Sequence, residues 1–219
     1  MKKYPRTPYW VSSPTKAKDD KYVGRPELFL NTELVITEKI DGSNTLLYNG
    51  EVYGRGANTP AHENWRAMVR KHHSWKVPQL AKSEDIGFYG EDIYGVHSIE
   101  YEPVYEDMTL YLFAMRHFES DTFFCFQELE RWARLIGIST VPVVYRGFFK
   151  YENDLNLFLI EEHNKPSLLG GEREGLVIRR EKRFNGKDFA HHVCKSVREN
   201  HVQTDEHWTK NWKPCKLRS

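Results

Sequence analysis

A lysine followed by an aspartate and a glycine stands at Lys39-Ile40-Asp41-Gly42, inside the stretch TEKIDGSN. A primary amine can attack an electrophilic phosphorus and hold the transferred group covalently. At its ordinary pKa of about 10.4 the amine is protonated and inert, so a site that uses it must lower that value with cations or by removing water. Arg55, in YGRG, and Lys195, in VCKS, could place positive charge around a phosphate. Glu91, in FYGED, and Glu174, in EGLVIR, are carboxylates of the kind that suit hard ions such as Mg²⁺ or Mn²⁺ and sugar hydroxyls. Phe113, in LYLF, either stacks on a flat base or belongs to the core of an apolar strand. Taken alone, the tetrapeptide at 39–42 also describes a solvated strand-end lysine ahead of an Asp-Gly turn. The order of the later motifs separates the two readings.

These residues need elements to hold them. Residues 34–40, LVITEKI, read as a buried strand that delivers Lys39 to its end, with alternation placing Lys39 and Asp41 on one face. NTLLY and EVYGRG flank Asn49-Gly50, a strong hairpin signal. Further strands are predicted at 86–93, 109–115, 141–146, 175–179 and 189–195. A helix is predicted over 121–136, from a cap-like Asp121 to just before Gly137, another over 153–163, and mixed helical character over 62–75. Strands and helices do not alternate regularly. The pattern therefore predicts an α+β fold, a largely antiparallel sheet core with helices packed on its faces. No internal repeat or long linker interrupts the chain, so one domain over residues 1–219 is expected.

Composition narrows the class. The chain has 219 residues, 39% hydrophobic, 29% charged and 14% aromatic, which excludes disorder and low complexity. No apolar run approaches a membrane span and MKKYPRTPYW lacks the apolar stretch of a signal peptide, so an intracellular protein with no membrane partner is expected. Cys125, Cys194 and Cys215 are odd in number and widely spaced, which suits reduced thiols. A zinc site from His191, His192, Cys194, His201, His207 and Cys215 has poor spacing, and satisfied or solvated side chains are the preferred reading. Trp208 and Trp212 are read as packing residues. The net charge of +1 averages unlike segments: Arg179, Arg180, Lys182, Arg183 and Lys187 face one acid, Glu181, while Glu100, Glu102, Glu106 and Asp107 cluster elsewhere. Lys210, Lys213, Lys216 and Arg218 make the tail basic.

The series from Lys39 to Lys195 resembles the covalent nucleotidyltransferase superfamily of polynucleotide ligases and capping enzymes, most closely the RNA ligases of the second phage type. The resemblance implies that Lys39 attacks the α-phosphate of ATP and carries AMP as a phosphoramide. It implies that Glu38, Asp41, Arg55, Glu91, Phe113, Glu174 and Lys195 bind the nucleotide. Within that set, Arg55 meets sugar or incoming phosphate, Glu91 the ribose, Phe113 the adenine, Glu174 the metal and Lys195 phosphate. Asn44 assists sealing. The expected partner is RNA with 5′-phosphate and 3′-hydroxyl ends, with the basic stretch 179–187 guiding it, and the expected cofactors are ATP and Mg²⁺ or Mn²⁺.

Two departures stand out. The last motif of that superfamily usually reads K-x-K, whereas Val193 occupies its first position here, so one phosphate contact is either missing or comes from Arg198 or a neighbour. Only 24 residues follow Lys195, too few for an OB-fold or a helical C-terminal domain, so an enzyme limited to the adenylylation domain is expected. DNA nick sealing or GTP-dependent transfer by the same fold, and a non-catalytic nucleic-acid-binding module, are the alternatives.

Overall fold

The computed structural model describes residues 3–15, 21–56, 58–77, 85–199, 209 and 211–218. Strands β1 (Leu34–Lys39), β2 (Ser43–Tyr48), β3 (Glu51–Gly54), β4 (Ile86–Asp92), β5 (Gly95–Val96), β6 (Leu110–His117), β7 (Thr122–Phe123) and β8 (Val143–Gly147) run from the first half into the middle of the chain. They are followed by β9 (Gly175–Arg180), β10 (Phe184–Asn185), β11 (Val193–Val197) and β12 (Lys213–Pro214). Helices are α1 (Ala67–His72), α2 (Phe126–Ile136) and α3 (Glu152–His163). Among the described residues the strands form a four-stranded sheet in the order β11-β9-β1-β8, a six-stranded sheet in the order β10-β7-β6-β4-β2-β3, and the pair β12-β5. Their ladders are antiparallel, as expected of the α+β reading.

The run Leu34-Val35-Ile36 is apolar throughout because β1 is buried on both faces. Val35 joins the larger core, which also holds Phe88, Leu110, Leu112 and Val193. Leu34 and Ile36 turn to a second core with Leu176, Ile178, Cys194, Trp10 and Phe29, closed by Leu155 and Leu159 of α3. Ile36 is fully buried, and its truncation to alanine should cost about 2–5 kcal/mol. The β2–β3 hairpin turns at Asn49 (φ 52°) and Gly50 (φ 83°), the paired positive φ values that Asn-Gly favours.

Several boundaries differ from expectation. The helix expected from Asp121 begins at Phe126, because Thr122–Phe123 is drawn into β7 between β6 and β10. Asp121 instead sits in a turn at φ 56° and accepts from Arg116 Nε at 2.9 Å. The cap is Cys125, whose N–H and thiol both donate to the Glu128 carboxylate at 3.2 Å. Gly137 ends this helix at φ 61°. The strand expected at 189–195 starts only at Val193, after a 3₁₀ helix over Gly186–His191.

The basic stretch is dispersed rather than presented as one face. Arg179 is buried and Arg180 half-buried, whereas Lys182, Arg183 and Lys187 are exposed, Arg183 with its Nε donating to Glu128 at 2.9 and 3.0 Å. His192 stacks on Phe184 at 4.4 Å and Cys194 is fully buried. Trp212 is partly buried against Trp65 and Tyr94, with ring centroids 6.2 and 6.0 Å away. His201, His207, Trp208 and Lys210 lie outside the described residues. No helix among the described residues is long and apolar enough to cross a membrane.

Candidate active site

Antiparallel register assembles the site. Lys39 lies opposite Gly175, while Val177, two residues on, pairs with Thr37 on one side and Lys195 on the other. Opposed residues share a face, so Lys39 and Lys195 project from the same side of the four-stranded sheet. The six-stranded sheet supplies the facing wall. Asn44 lies opposite Glu91, and Arg55 follows Gly54 at the end of β3. The β4–β6 register slips by one between Leu112 and Ala114, a bulge at Phe113 that re-aims its ring. Between the two walls is a cleft of about 220 Å³ lined by Glu38, Lys39, Asn44, Arg55, Glu91, Phe113, Arg179 and Lys195, among others.

Lys39 Nζ donates to Glu174 Oε1 at 2.5 Å. Burial opposes the ammonium charge, but the pull of Glu174, Glu91 and Asp41 outweighs it and raises the Lys39 pKa above its ordinary value. The cations expected to lower that pKa do not prevail in the protein alone; its own carboxylates hold the amine protonated. Burial pushes the Glu91 carboxyl up to about 8, Lys39 opposes this, and Glu174 and Asp41 reinforce it. The cleft therefore brings an ammonium and two carboxylates together, and their charges are set by one another.

The expected metal can be tested against these groups. Glu174 Oε2 is buried and has no hydrogen-bond partner among the described residues, although its companion oxygen holds Lys39. No three His, Cys, Asp or Glu side chains among the described residues are grouped to hold an ion by themselves. Mg²⁺ in phosphoryl-transfer sites is held by one or two carboxylates together with substrate phosphates. Glu174, with Glu91 beside it, fits that requirement.

Two expected nucleotide ligands are committed elsewhere. Glu38 is 2% exposed, and its carboxylate accepts from Arg173 Nε at 2.7 Å, Leu168 N–H at 2.9 Å and Ser167 Oγ at 3.0 Å. Although Glu38 borders the cleft, its carboxylate is turned away from Lys39, as alternation requires, and ties β1 to the segment between α3 and β9. Asp41 lies past the end of β1 and accepts from the N–H groups of Ser98 (2.7 Å) and Ile99 (3.0 Å), anchoring the loop after β5. Gly42 is needed by the protein itself: a Cβ there would lie 2.6 Å from the Asp92 carbonyl oxygen.

Residue 32 to residue 197 matches the family described as RNA ligase. The chain belongs to the RNA ligase family. No curated protein matches it. Among solved structures it is similar to the Naegleria gruberi RNA ligase with pyrophosphate, at 18% identity and TM-score 0.59 over 90% of this chain and 58% of that one. A lysine-to-alanine variant of the same ligase with ATP and Mn matches at 18% identity and TM-score 0.59, over 85% and 56% of the two chains. An apo aspartate-to-alanine variant matches at 19% and 0.58, over 80% and 52%. The chain thus spans just over half the length of these ligases, and the likeness establishes a common fold.

Within this RNA ligase fold the cleft holds groups that motif spacing did not single out. Arg179 lies opposite Val193 in the β9–β11 ladder, so a cation enters the cleft from the strand beside the position where the family's lysine is missing. Its guanidinium carbon lies 5.8 Å from the Phe113 ring centroid and Nη1 donates to Tyr4 Oη at 3.3 Å. Arg198, the other candidate, ion-pairs with Glu172 instead. The amino-terminal segment is also part of the wall: Tyr4, Pro5 and Thr7 line the cleft, and Trp10 N–H donates to the Lys195 carbonyl at 2.7 Å. Lys195 Nζ sits 4.0 Å from the Tyr9 ring centroid. The signal available for this segment was its density of aromatic residues.

Proposed function

We propose that this chain is an ATP-dependent RNA ligase that works through a lysyl-AMP intermediate at Lys39. The convergence of Lys39, Arg179 and Lys195 with Glu91 and Phe113 on one cleft, with Asn44 and Arg55 at its β2–β3 edge, supports the reading, because two cations beside one amine suit attack at a phosphate. In the first step Lys39 Nζ, having given up its proton, forms a bond to the α-phosphorus of ATP and the bond to pyrophosphate breaks. AMP then passes to an RNA 5′-phosphate, and a 3′-hydroxyl displaces it to form the phosphodiester. Lys195 and Arg179 bind phosphate oxygens, Glu91 meets the ribose, and Phe113 stacks on the base with Tyr4 set edge-on behind it at 4.9 Å. Asn44 and Arg55, together at the β2–β3 edge, face the RNA ends. Glu174, whose second carboxylate oxygen is buried without a hydrogen-bond partner among the described residues, would hold Mg²⁺ or Mn²⁺ together with substrate phosphates, and the ion would supply charge neutralisation there.

The test is covalent labelling. Incubation with α-labelled ATP and Mn²⁺ should leave label on the protein, and Lys39→Ala should remove it. Label that persists in this variant would sink the assignment. Sealing of RNA nicks compared with DNA nicks, and labelling with ATP compared with GTP, separates this reading from other uses of the fold.

A further inference from the structure

Behind the sheet that carries Asn44 lies a buried arginine that the proposed chemistry does not use. Arg66, in the turn that precedes α1, is 6% exposed. Nη1 donates to the Thr45 hydroxyl and Nη2 to the Asn44 carbonyl, the latter at 3.2 Å. The same guanidinium packs on Gly54, which lies opposite Thr45 in the β2–β3 ladder; a Cβ at Gly54 would lie 3.4 Å from Nη2.

Register shows what this arrangement holds. Asn44 and Glu91 are opposed and line the cleft, whereas Thr45, Gly54 and Gly90 form the next row, with their side-chain positions on the back. Arg66 therefore grips the rear of the two strands that deliver Asn44 and Arg55 to the front. A charge is costly to bury, and burial lowers the Arg66 pKa while Asp92, Glu63 and Glu91 oppose that shift. The Glu63 carboxylate 3.6 Å from Nε offsets part of that cost, and the directed hydrogen bonds of the guanidinium go to the Thr45 hydroxyl and the Asn44 carbonyl. Planar, forked donors can hold a hydroxyl and a carbonyl together, which the single ammonium of lysine does less rigidly.

We propose that Arg66 is a positioning residue for strand sealing, fixing the backbone at Asn44 and Gly54 so that Asn44 and Arg55 meet the RNA ends in register. The proposal rests on the reading of the chain as an RNA ligase and concerns its last step. Lys39 is on the other sheet and should feel the loss of Arg66 less.

The experiment compares Arg66→Lys and Arg66→Met with the wild-type protein in two assays: lysyl-AMP formation from labelled ATP, and sealing of RNA that already carries AMP on its 5′ end. Melting temperatures are recorded in parallel. Displacement of reacting groups by about 1 Å costs on the order of 100-fold, so Arg66→Met should lower sealing by about that factor and adenylylation by less than about fivefold. Arg66→Lys should fall between Arg66→Met and wild type. In a double-mutant cycle with Asn44→Ala, the two losses should be strongly non-additive, because both act through one group. Parallel losses in both assays, or additivity in the cycle, would make Arg66 a purely structural residue and overturn the proposal. Failure of the wild-type protein to seal pre-adenylylated RNA would instead overturn the ligase reading and the proposal with it.

Discussion

Lys39 and Glu174 are ion-paired at 2.5 Å across the end of the β1–β9 ladder, with the remaining oxygen of Glu174 buried and unpartnered. As the proposed nucleophile, Lys39 is stored as an ammonium and would have to be released from this carboxylate before it could attack. Glu174→Gln removes the anion while keeping the shape. The Lys39 pKa should fall, because the nearest group raising it is gone. Labelling should nevertheless drop by about 100-fold or more if Glu174 also holds the metal, since such electrostatic groups contribute about 10²–10³ in rate. A titration of labelling against Mn²⁺ concentration checks this: a rightward shift is expected, and an unchanged metal dependence would remove Glu174 from that role.

Glu38 makes the opposite case. It is adjacent to Lys39 in sequence, yet its carboxylate is enclosed by Arg173, Ser167 and Leu168, and Arg173 also bonds the Glu162 carboxylate at 2.6 Å. Glu162 still pairs with Arg173 when Glu38 is neutralised, so Glu38→Gln weakens charge-assisted hydrogen bonds rather than stranding a charge and should destabilise the protein by about 1–3 kcal/mol. Urea unfolding measures this. The nucleotide affinity of the fraction that remains folded should be nearly unchanged; a selective loss of ATP binding in a protein of wild-type stability would return Glu38 to the nucleotide site.

Much of this architecture is legible in the sequence, for identifiable physical reasons. The β1 strand and the β2–β3 hairpin follow from an apolar run and an Asn-Gly turn, both local signals. Their neighbours Glu91, Glu174 and Lys195 stand in motifs whose order could be read directly. What could not be read is what depends on pairing across the sheet. The bulge at Phe113 exists only in the β4–β6 register, and the meeting of Arg179 with the cleft only in the β9–β11 register. Asp121 looked like a helix cap because its local chemistry suits one, but pairing of Thr122–Phe123 with β6 and β10 moved the cap to Cys125. The family resemblance implies nucleotide contacts for Glu38 and Asp41, but the Glu38 carboxylate is held by Arg173, Ser167 and Leu168 and the Asp41 carboxylate by the N–H groups of Ser98 and Ile99, pairings that local sequence does not show.

The opposition of Arg179 and Val193 gives a third prediction. If Arg179 supplies the phosphate contact that Val193 cannot, Arg179→Met should lower lysyl-AMP formation by about 100-fold, in the range for a lost charge-stabilising group. Adding Val193→Lys to that variant should recover part of the loss, because opposed residues in an antiparallel ladder occupy neighbouring space on one face. Single-turnover labelling of the two variants decides it. No recovery, with both proteins folded, would mean that the two positions do not serve one phosphate.

His73, at the carboxyl end of α1, is fully buried, and burial lowers its pKa from the ordinary 6.5 to about 4, with Lys76 and His72 acting in the same direction. Because the folded-state value lies below the unfolded one, the unfolded chain takes up a proton that the native protein refuses. The stability linked to His73 is whole above pH 6.5 and is lost as pH falls from 6.5 towards 4. At pH 5 the loss comes to about 2 kcal/mol from this one residue. His73→Phe cannot take up the proton. Whatever its packing cost, its stability relative to wild type should therefore improve by about 2 kcal/mol between pH 8 and pH 5. Urea unfolding of both proteins at the two pH values measures the difference directly, and a constant offset between them would show that His73 is not the group that titrates.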